Sequence, residues 1–273
     1  MIEFRNAGKR YPDGTIAVGD FSLLAPSGKT TVLVGSSGCG KTTLLRMVNR
    51  MVSPTSGSVW IDDLDVATAE PVALRRRIGY VMQNSGLLPH RRVIDNIATV
   101  PRLNGVPKAE AHARALDLMD LVGLDRTMAR RYPGQLSGGQ QQRVGVARGL
   151  ASDPNILLMD EPFGAVDPIV RADLQAELLR LQRELHKTIL FVTHDIAEAL
   201  TLGDQIVILK AHAEIAQVGA PADIVSNPAN DFVTDFVGLG RGALNLHLRP
   251  VEGGYLVLDD SGRPAGRVTG SAG

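Results

Sequence analysis

The feature that most constrains the fold is a glycine-rich loop of the form GxxxxGK[ST] at residues 35–42, GSSGCGKT. It follows a β-branched run, residues 30–34, that is typical of a buried strand, and it precedes a segment with helical spacing. Glycines let backbone N–H groups approach an anion, and the positive end of the following helix points at the same place. The loop therefore predicts a nucleotide phosphate site, with Lys41 for the outer phosphates and the Thr42 hydroxyl for Mg²⁺.

Strand-like and helical segments alternate along the rest of the chain. Strand patterns occur at residues 76–83, 156–159, 188–193 and 205–209. Residues 2–27 are typical of short strands, residues 93–149 are mostly helical, and residues 170–186 predict a long amphipathic helix. This alternation favours an α/β layered fold with a largely parallel sheet and an inserted helical lobe.

Polar residues follow two of the predicted strands. Asp160 and Glu161 come directly after residues 156–159, and His194 follows residues 188–193. Carboxyl ends of parallel strands form the edge where open α/β sheets bind ligands. There Asp160 can hold Mg²⁺ through water, Glu161 can polarise an attacking water, and His194 can donate a hydrogen bond to a transferring phosphoryl group. Without a phosphate loop in the chain, the two carboxylates would be interpreted as an ordinary strand end and the histidine as a structural residue. Their assignment to a functional site therefore depends on the phosphate loop.

A second pair of glycines opens a later predicted helix. Ser137, Gly138 and Gly139 precede Gln140, after which a helical pattern continues, so Ser137 is the predicted N-cap. Bare N–H groups at a helix N-terminus make an anion site, although a plain capped turn would look the same. Two phosphate-facing helix ends with one phosphate loop suggest that the second serves the nucleotide of another copy of the chain.

Composition narrows the classes of function. The 273 residues include 29 Lys+Arg against 29 Asp+Glu and are 44% hydrophobic, which excludes a disordered polyelectrolyte and a strongly basic nucleic-acid coat protein. The single cysteine, Cys39, excludes an internal disulfide. We expect no signal peptide in a chain that starts MIEFRN, and no apolar run approaches the roughly 20 residues that cross a bilayer. Any membrane role is therefore expected to come through a partner.

The motifs resemble those of the ATP-binding cassette (ABC) ATPases, in the family's order, over about residues 2–240. The matching segments are residues 35–42 (Walker A), Gln83 (Q-loop), residues 136–140 (the LSGGQ signature), residues 156–160 (Walker B), Glu161 (catalytic glutamate), residues 165–167 (D-loop) and His194 (switch histidine). One small departure is Val166, where the family's D-loop has Leu.

The resemblance implies an α/β fold with a P-loop NTPase core and a mostly parallel sheet. It also implies an N-terminal antiparallel β subdomain and a helical subdomain inserted at about residues 91–150. We expect residues 1–240 to form the ATPase domain. Residues 241–273 are predicted to be a C-terminal tail of strands, with a faint likeness to part of a regulatory domain.

The resemblance assigns roles to individual residues. Lys41, Glu161 and His194 are the expected catalytic residues, and Mg²⁺ is expected at Thr42, Gln83 and Asp160. Tyr11 falls where the family stacks an aromatic ring on adenine. The other expected contacts to ATP are Gly35, Ser36, Ser37, Gly38, Cys39, Gly40, Thr43, Ser137, Gly138, Gly139, Gln140 and Asp167.

Within the family, several stretches resemble importers of glycine betaine, choline, carnitine and proline. They are residues 47–51 with 54–57, residues 81–90 and residues 166–171. This resemblance implies an ATP-hydrolysing subunit that powers solute uptake as a head-to-tail homodimer, each ATP lying between residues 35–42 of one protomer and 137–140 of the other. Its partners would be membrane permease subunits, which hold it at the cytoplasmic face, and indirectly an extracytoplasmic solute-binding protein, with no nucleic acid.

The alternative is an ABC ATPase that acts on nucleic acid or the ribosome. The basic runs at residues 75–77 and 91–92 are short and carry no interleaved aromatic residues, which favours a solvated face or a permease contact. The stretch between Lys41 and Ser137 has no room for the long coiled coil of DNA-maintenance members, and translation members carry two cassettes in one chain. A binding module without turnover is disfavoured by the presence of Glu161 and His194.

Overall fold

The computed structural model describes residues 1–83, 85–164, 166, 168–238, 246–251, 253–258 and 262–268. The chain divides into two compact units, residues 1–221 and 222–273. In chain order the strands are β1 (Ile2–Arg10), β2 (Ile16–Ala25), β3 (Thr30–Gly35), β4 (Ser56–Ile61), β5 (Leu64–Asp65), β6 (Ile78–Val81), β7 (Ile156–Asp160), β8 (Thr188–Thr193), β9 (Gln205–Leu209), β10 (Ile215–Gly219), β11 (His247–Val251), β12 (Gly254–Leu258) and β13 (Pro264–Val268). The α-helices are α1 (Lys41–Val48), α2 (Pro71–Arg76), α3 (Val93–Ile97), α4 (Thr99–Leu103), α5 (Lys108–Leu121), α6 (Gly138–Leu150), α7 (Pro168–Leu185), α8 (Ile196–Leu202), α9 (Pro221–Ser226) and α10 (Asp231–Val237).

A six-stranded sheet forms the centre of the first unit, in the order β10-β9-β3-β8-β7-β6. Only the β10–β9 pair is antiparallel; the other neighbours run parallel. Every residue of β3, β7 and β8 is buried, as the apolar runs predicted, because helices cover both faces of a parallel sheet. The predicted α/β fold with a mostly parallel sheet is confirmed.

A smaller antiparallel sheet, in the order β2-β1-β4-β5, contains the N-terminal strands. Phe4 and Phe21 point into its buried face, with ring centroids 5.1 Å apart at 81°. Such an edge-to-face pair contributes about 0.5–1.5 kcal/mol beyond the apolar area that it buries. Helix α1 contributes Leu44 and Leu45 to the same hydrophobic cluster, which also includes Leu158 of β7. Both sheets therefore pack around α1 and fix the start of that helix.

A lobe of helices, α3 to α6, lies between β6 and β7 in the sequence, as the pattern predicted. Asn96 of α3 is fully buried and holds the loop that enters the lobe. Its Oδ1 accepts from the N–H of Leu88 at 2.7 Å, and its Nδ2 donates to the carbonyl oxygens of Leu88, Arg91 and Arg92 at 3.0–3.1 Å. These four bonds satisfy the buried amide and give the loop one shape.

The strand predicted at residues 76–83 is shorter in the structure, and its first residue is helical. Helix α2 runs through Arg76 because Glu70 caps it, accepting from the N–H groups of Val72 and Ala73, with Pro71 in the first turn. The strand β6 then has four residues and ends two positions before Gln83.

The second unit contains α10 and a three-stranded antiparallel sheet in the order β11-β12-β13. Asn230 caps α10 by accepting from the N–H of Val233, and Gly238 ends the helix with φ of +90°. The predicted strands of the tail are present where the structure describes them; the boundary expected at residue 240 stays a prediction. Within the described residues, no helix has the length and apolar character that a membrane span requires.

Gly79 offers a test of how closely α6 packs on β6. A Cβ at this position would lie 2.4 Å from the carbonyl oxygen of Gly149 on α6 and 2.4 Å from Leu157 Cδ2. We expect Gly79→Ala to lower the free energy of unfolding by about 1–3 kcal/mol, because an added methyl group overpacks this contact. Chemical denaturation of the variant measures the change. Gly134→Ala is the matched control, since a Cβ there meets no neighbouring atom. Equal stability of the two variants would contradict the packing.

Candidate nucleotide site

The phosphate loop connects the end of β3 to the start of α1. Gly40 is the N-cap of α1 with φ of +111°, and a Cβ there would lie 2.5 Å from the carbonyl oxygen of Ala17, so only glycine fits. Lys41 is 4% exposed, and its Nζ donates to the carbonyl oxygens of Gly35 and Ser36, both at 2.8 Å. The loop thus holds a buried positive charge beside the N-terminus of a helix, which favours binding of a polyphosphate.

The other residues of the phosphate loop differ in their solvent exposure. Ser36, Ser37 and Gly38 are exposed at its tip, whereas Cys39 is buried. Thr43 is partly exposed in the first turn of α1. The exposed tip is where backbone N–H groups can meet phosphate oxygens, and Cys39 serves as packing beneath it.

A hydrogen bond joins the phosphate loop to the end of β7. Thr42 Oγ1 donates to Asp160 Oδ1 at 2.8 Å, and the Tyr80 hydroxyl donates to Asp160 Oδ2 at 3.2 Å. Burial, together with the negative charge of Asp160, raises the pKa of Tyr80, so its hydroxyl stays protonated as a donor. The hydroxyl and carboxylate oxygens of Thr42 and Asp160 are the ligand type that Mg²⁺ prefers.

Glu161 follows Asp160 in an unusual backbone conformation. Its φ is +45°, in the left-handed region, which costs a non-glycine residue on the order of 1–3 kcal/mol. Its N–H donates to the carbonyl oxygen of Val192 on β8 at 2.9 Å, which holds the turn. Its carboxylate oxygen Oε2 lies 3.1 Å from His194 Nδ1 and accepts from Gln83 Nε2 at 3.4 Å. With Glu161 ionised, the carboxylate accepts only, so Nδ1 carries the shared proton.

Sheet register brings these segments together. In the parallel pairs, Val34 lies opposite Thr193 and Asp160 lies opposite Val192. The strands β3, β8 and β7 therefore end at the same level, and the phosphate loop, His194 and Glu161 emerge from one edge of the sheet. This is the edge at which open α/β sheets bind ligands.

Other predicted site residues occupy separate places. The Gln83 amide contacts Glu161 rather than Thr42 or Asp160, so its predicted role as a magnesium ligand stays a prediction. Tyr11, which follows β1, is 37% exposed, and Lys9 Nζ lies 5.4 Å from the centre of its ring. Asp167 lies outside the described residues.

The signature segment opens α6 with a capping box. Ser137 Oγ accepts from the N–H of Gln140 at 3.3 Å, and Gln140 Oε1 accepts from the N–H of Ser137 at 3.0 Å. The N–H groups of Gly138 and Gly139 come next, and helix geometry gives them no intrahelical acceptor. Among the described residues, no hydrogen bond joins this segment to the phosphate loop of its own chain.

Sequence patterns missed four residues that support the site. Tyr80 contacts Asp160, while Arg171, Thr193 and Glu198 surround the turn that carries His194. Strand periodicity could have identified Tyr80. It lies opposite Leu158 of β7, and Leu158 and Asp160, two residues apart on that strand, point to the same face of the sheet. Arg171 and Glu198 depend on contacts between α7 and α8, and Thr193 joins the end of β8 to Glu198.

Comparisons with known proteins agree with this geometry. The model of the ABC transporter family matches residues 18–164. The choline transport ATP-binding protein OpuBA of Bacillus subtilis (strain 168) is 49% identical over 241 residues, 88% of this chain and 63% of that protein. The glycine betaine uptake system ATP-binding protein YehX of Escherichia coli (strain K12) is 48% identical over 252 residues, 92% of this chain and 81% of that protein.

The fold also has a close counterpart among solved structures. The dimeric structure of MJ0796, a bacterial ABC transporter cassette, superposes with a TM-score of 0.73 at 33% identity, covering 81% of this chain and 99% of that one. The chain spans less than two thirds of the length of OpuBA. Together, the family match over residues 18–164 and 48% identity across most of YehX show that this chain belongs to the ABC transporter family, with the fold of its ATPase cassettes.

Proposed function

We propose that the chain hydrolyses ATP and supplies the energy for solute import through membrane permease subunits. The observation that carries the proposal is the environment of Glu161. Its carboxylate is held by His194 and Gln83 at the sheet edge where Lys41 and its loop form a phosphate site. A phosphate cradle alone would serve binding, whereas an oriented carboxylate beside it serves as a base for an attacking water.

Each residue then has a defined task. Lys41 and the backbone N–H groups of its loop hold the phosphates and offset the charge that develops on them. Glu161 polarises water for in-line attack on the γ-phosphate. His194 donates from Nδ1 to the Glu161 carboxylate, and its Nε2 can donate to the transferring group when the ring carries both protons.

Mg²⁺ fits the oxygen donors Thr42 and Asp160, which already lie 2.8 Å apart. When bound there, Mg²⁺ would neutralise part of the charge on the phosphates. Gln83 is proposed as a further ligand from the family resemblance alone, and its contact with Glu161 lets it link the magnesium site to the helical lobe.

The working unit is proposed to be a head-to-tail homodimer. Residues 137–140 of one protomer would complete the site formed by residues 35–42 of the other, with the N–H groups of Gly138 and Gly139 directed at the nucleotide. Tyr11 would stack on adenine, and Asp167 would lie at the contact between protomers. Separation of these segments within one chain supports the need for a second copy.

The proposed cargo is a compatible solute such as glycine betaine, choline, carnitine or proline. Support comes from OpuBA and YehX, whose names record choline transport and glycine betaine uptake. The chain would lie at the cytoplasmic face of the membrane, held by permease subunits that receive solute from an extracytoplasmic binding protein. Action on nucleic acid or the ribosome is not favoured by these relatives.

Glu161→Gln tests the proposed base. The amide keeps the size of the side chain but cannot take a proton, so we expect kcat for ATP to fall by about 10²–10⁴-fold while ATP binding persists. Size-exclusion chromatography with ATP and Mg²⁺ should show a stable dimer. Glu184→Gln, on the exposed face of α7, is the control. Turnover by Glu161→Gln near the wild-type rate would refute the role.

Ser137→Arg tests the shared site. A long cationic side chain at the cap should block approach of the second protomer, so ATP should no longer cause dimerisation, while the monomer binds labelled ATP as before. Ala109→Arg adds the same charge on an exposed turn of the same lobe and should dimerise normally. Weaker binding of ATP to the monomeric Ser137→Arg protein would instead place this residue in its own chain's site.

Reconstitution tests the transport proposal. We expect the chain to co-purify with a permease of the osmoprotectant class. In lipid vesicles, glycine betaine with its solute-binding protein should then stimulate ATP hydrolysis. A permease of unrelated class is the control. Hydrolysis that proceeds without response to any solute or permease would contradict the transport role and leave the ATPase intact.

A further inference from the structure

A second ionic cluster lies behind the nucleotide site, centred on Arg171 of α7. One guanidinium nitrogen, Nη2, donates to the carbonyl oxygen of Val166 at 3.3 Å, and Nη1 lies 3.5 Å from Asp195 Oδ2. The Nε atom is buried and lies 3.9 Å from Glu198 Oε1, at ion-pair rather than hydrogen-bond distance. Arg171 thus joins the segment after Glu161 to two carboxylates that follow His194.

Glu198 is the buried partner in this cluster. It is 5% exposed, accepts a 2.6 Å hydrogen bond from the Thr193 hydroxyl and receives the Gln175 amide at 3.4 Å. Burial raises the pKa of Glu198, whereas the Arg171 guanidinium favours its charged form. The positive charge of Arg171 therefore offsets the negative charge of the buried Glu198 carboxylate.

The residues on either side of His194 are fixed by this cluster. Thr193 Oγ1 donates to Glu198 and accepts from the Asp195 N–H at 3.0 Å, which spans His194. Asp195 is also the N-cap of α8, accepting from the N–H of Ala197 at 2.8 Å. His194 itself is exposed over 57% of its side chain and makes its side-chain contact with Glu161. The orientation of the His194 side chain is thus set by the hydrogen bonds of its neighbours Thr193 and Asp195 rather than by packing around the ring.

We propose that Arg171 is a positioning residue that holds His194 in register with Glu161. Its guanidinium donates to the carbonyl of Val166, on the chain leaving Glu161, and forms an ion pair with the carboxylate of Asp195, beside His194. A planar cation with several donors suits this bridge because it can contact two groups in fixed relative directions. The catalytic consequence rests on the proposed ATPase activity, whereas the positioning itself is a property of the fold.

The test combines the kinetics of ATP hydrolysis with the ¹⁵N chemical shifts of the His194 ring. In Arg171→Met we expect kcat for ATP to fall at least about tenfold with KM little changed, because small misplacements of a catalytic group lower the rate steeply. The ¹⁵N shifts of the His194 ring, assigned by comparison with His194→Ala, should show Nδ1 protonated in the wild type. In Arg171→Met they should move towards a mixture of the two tautomers.

Four further variants separate positioning from stability. Arg183→Met removes an exposed arginine of the same helix and should match the wild type in rate and ring shifts. Arg171→Lys, which keeps the charge without the planar guanidinium, should recover part of kcat, and Glu198→Gln should give a smaller loss with the same tautomer change. The double variant Arg171→Met/His194→Ala should be no slower than His194→Ala alone, since one residue acts through the other.

The possible results distinguish failure of the positioning proposal from failure of the proposed function. Unchanged ring shifts in Arg171→Met would overturn the proposal whatever the rates, as would fully additive losses in the double variant. Should Arg171→Met fail to fold, Glu198→Gln carries the same test, and wild-type ring shifts in that variant would overturn the proposal. Absence of ATP turnover in the wild type with its permease would overturn the proposed function only, because the ring shifts report positioning without hydrolysis.

Discussion

The parallel pairing of β3 with β8, and of β8 with β7, is the constraint on which the rest of the structure depends. It makes three buried strands end at one level, so a cation, a carboxylate and an imidazole from distant parts of the sequence meet at one edge. The apolar runs of these strands provide the driving force, since each is covered on both faces. The hydrogen bond from Thr42 to Asp160 closes this edge by joining loop to strand.

The two glycine-rich helix ends are built differently and serve different purposes. At α1 the glycine cap is enforced by close backbone approach, and a buried lysine lies beside it. At α6 the cap is a reciprocal pair, Ser137 with Gln140, that satisfies its own N–H groups and leaves those of Gly138 and Gly139 without an intrahelical acceptor. The first end has a cation of its own, Lys41, whereas residues 137–140 contain none. This asymmetry supports a site shared between copies.

Local motifs pointed to the residues of the proposed site but not to the residues that support them. Residues 35–42 are recognised from their own motif between a strand and a helix, whereas Asp160, Glu161 and His194 were interpreted from their places at strand ends together with that motif. The sequence patterns also distinguished the parallel core, the short N-terminal strands and the helical lobe, and the resemblance added that the N-terminal strands are antiparallel. Gln83 was recognised only by resemblance, and its contact with Glu161 depends on how β6 leads into the lobe. Arg171 and Glu198 were given no role at the site, since their pairing arises only when α7 and α8 pack together.

Two predicted site residues contact the same carboxylate oxygen of Glu161. Glu161 Oε2 is contacted by His194, from the end of β8, and by Gln83, from the connection to the helical lobe. Both of these contacts are to Oε2 rather than Oε1. The hydrogen bond to Val192 holds the backbone of Glu161 at positive φ, so both donors meet a carboxylate whose backbone is fixed. A shift of the lobe or of the histidine turn would therefore change the hydrogen bonds of Glu161, the proposed base. Under the proposed function, this would give a partner bound at the lobe a route to control hydrolysis.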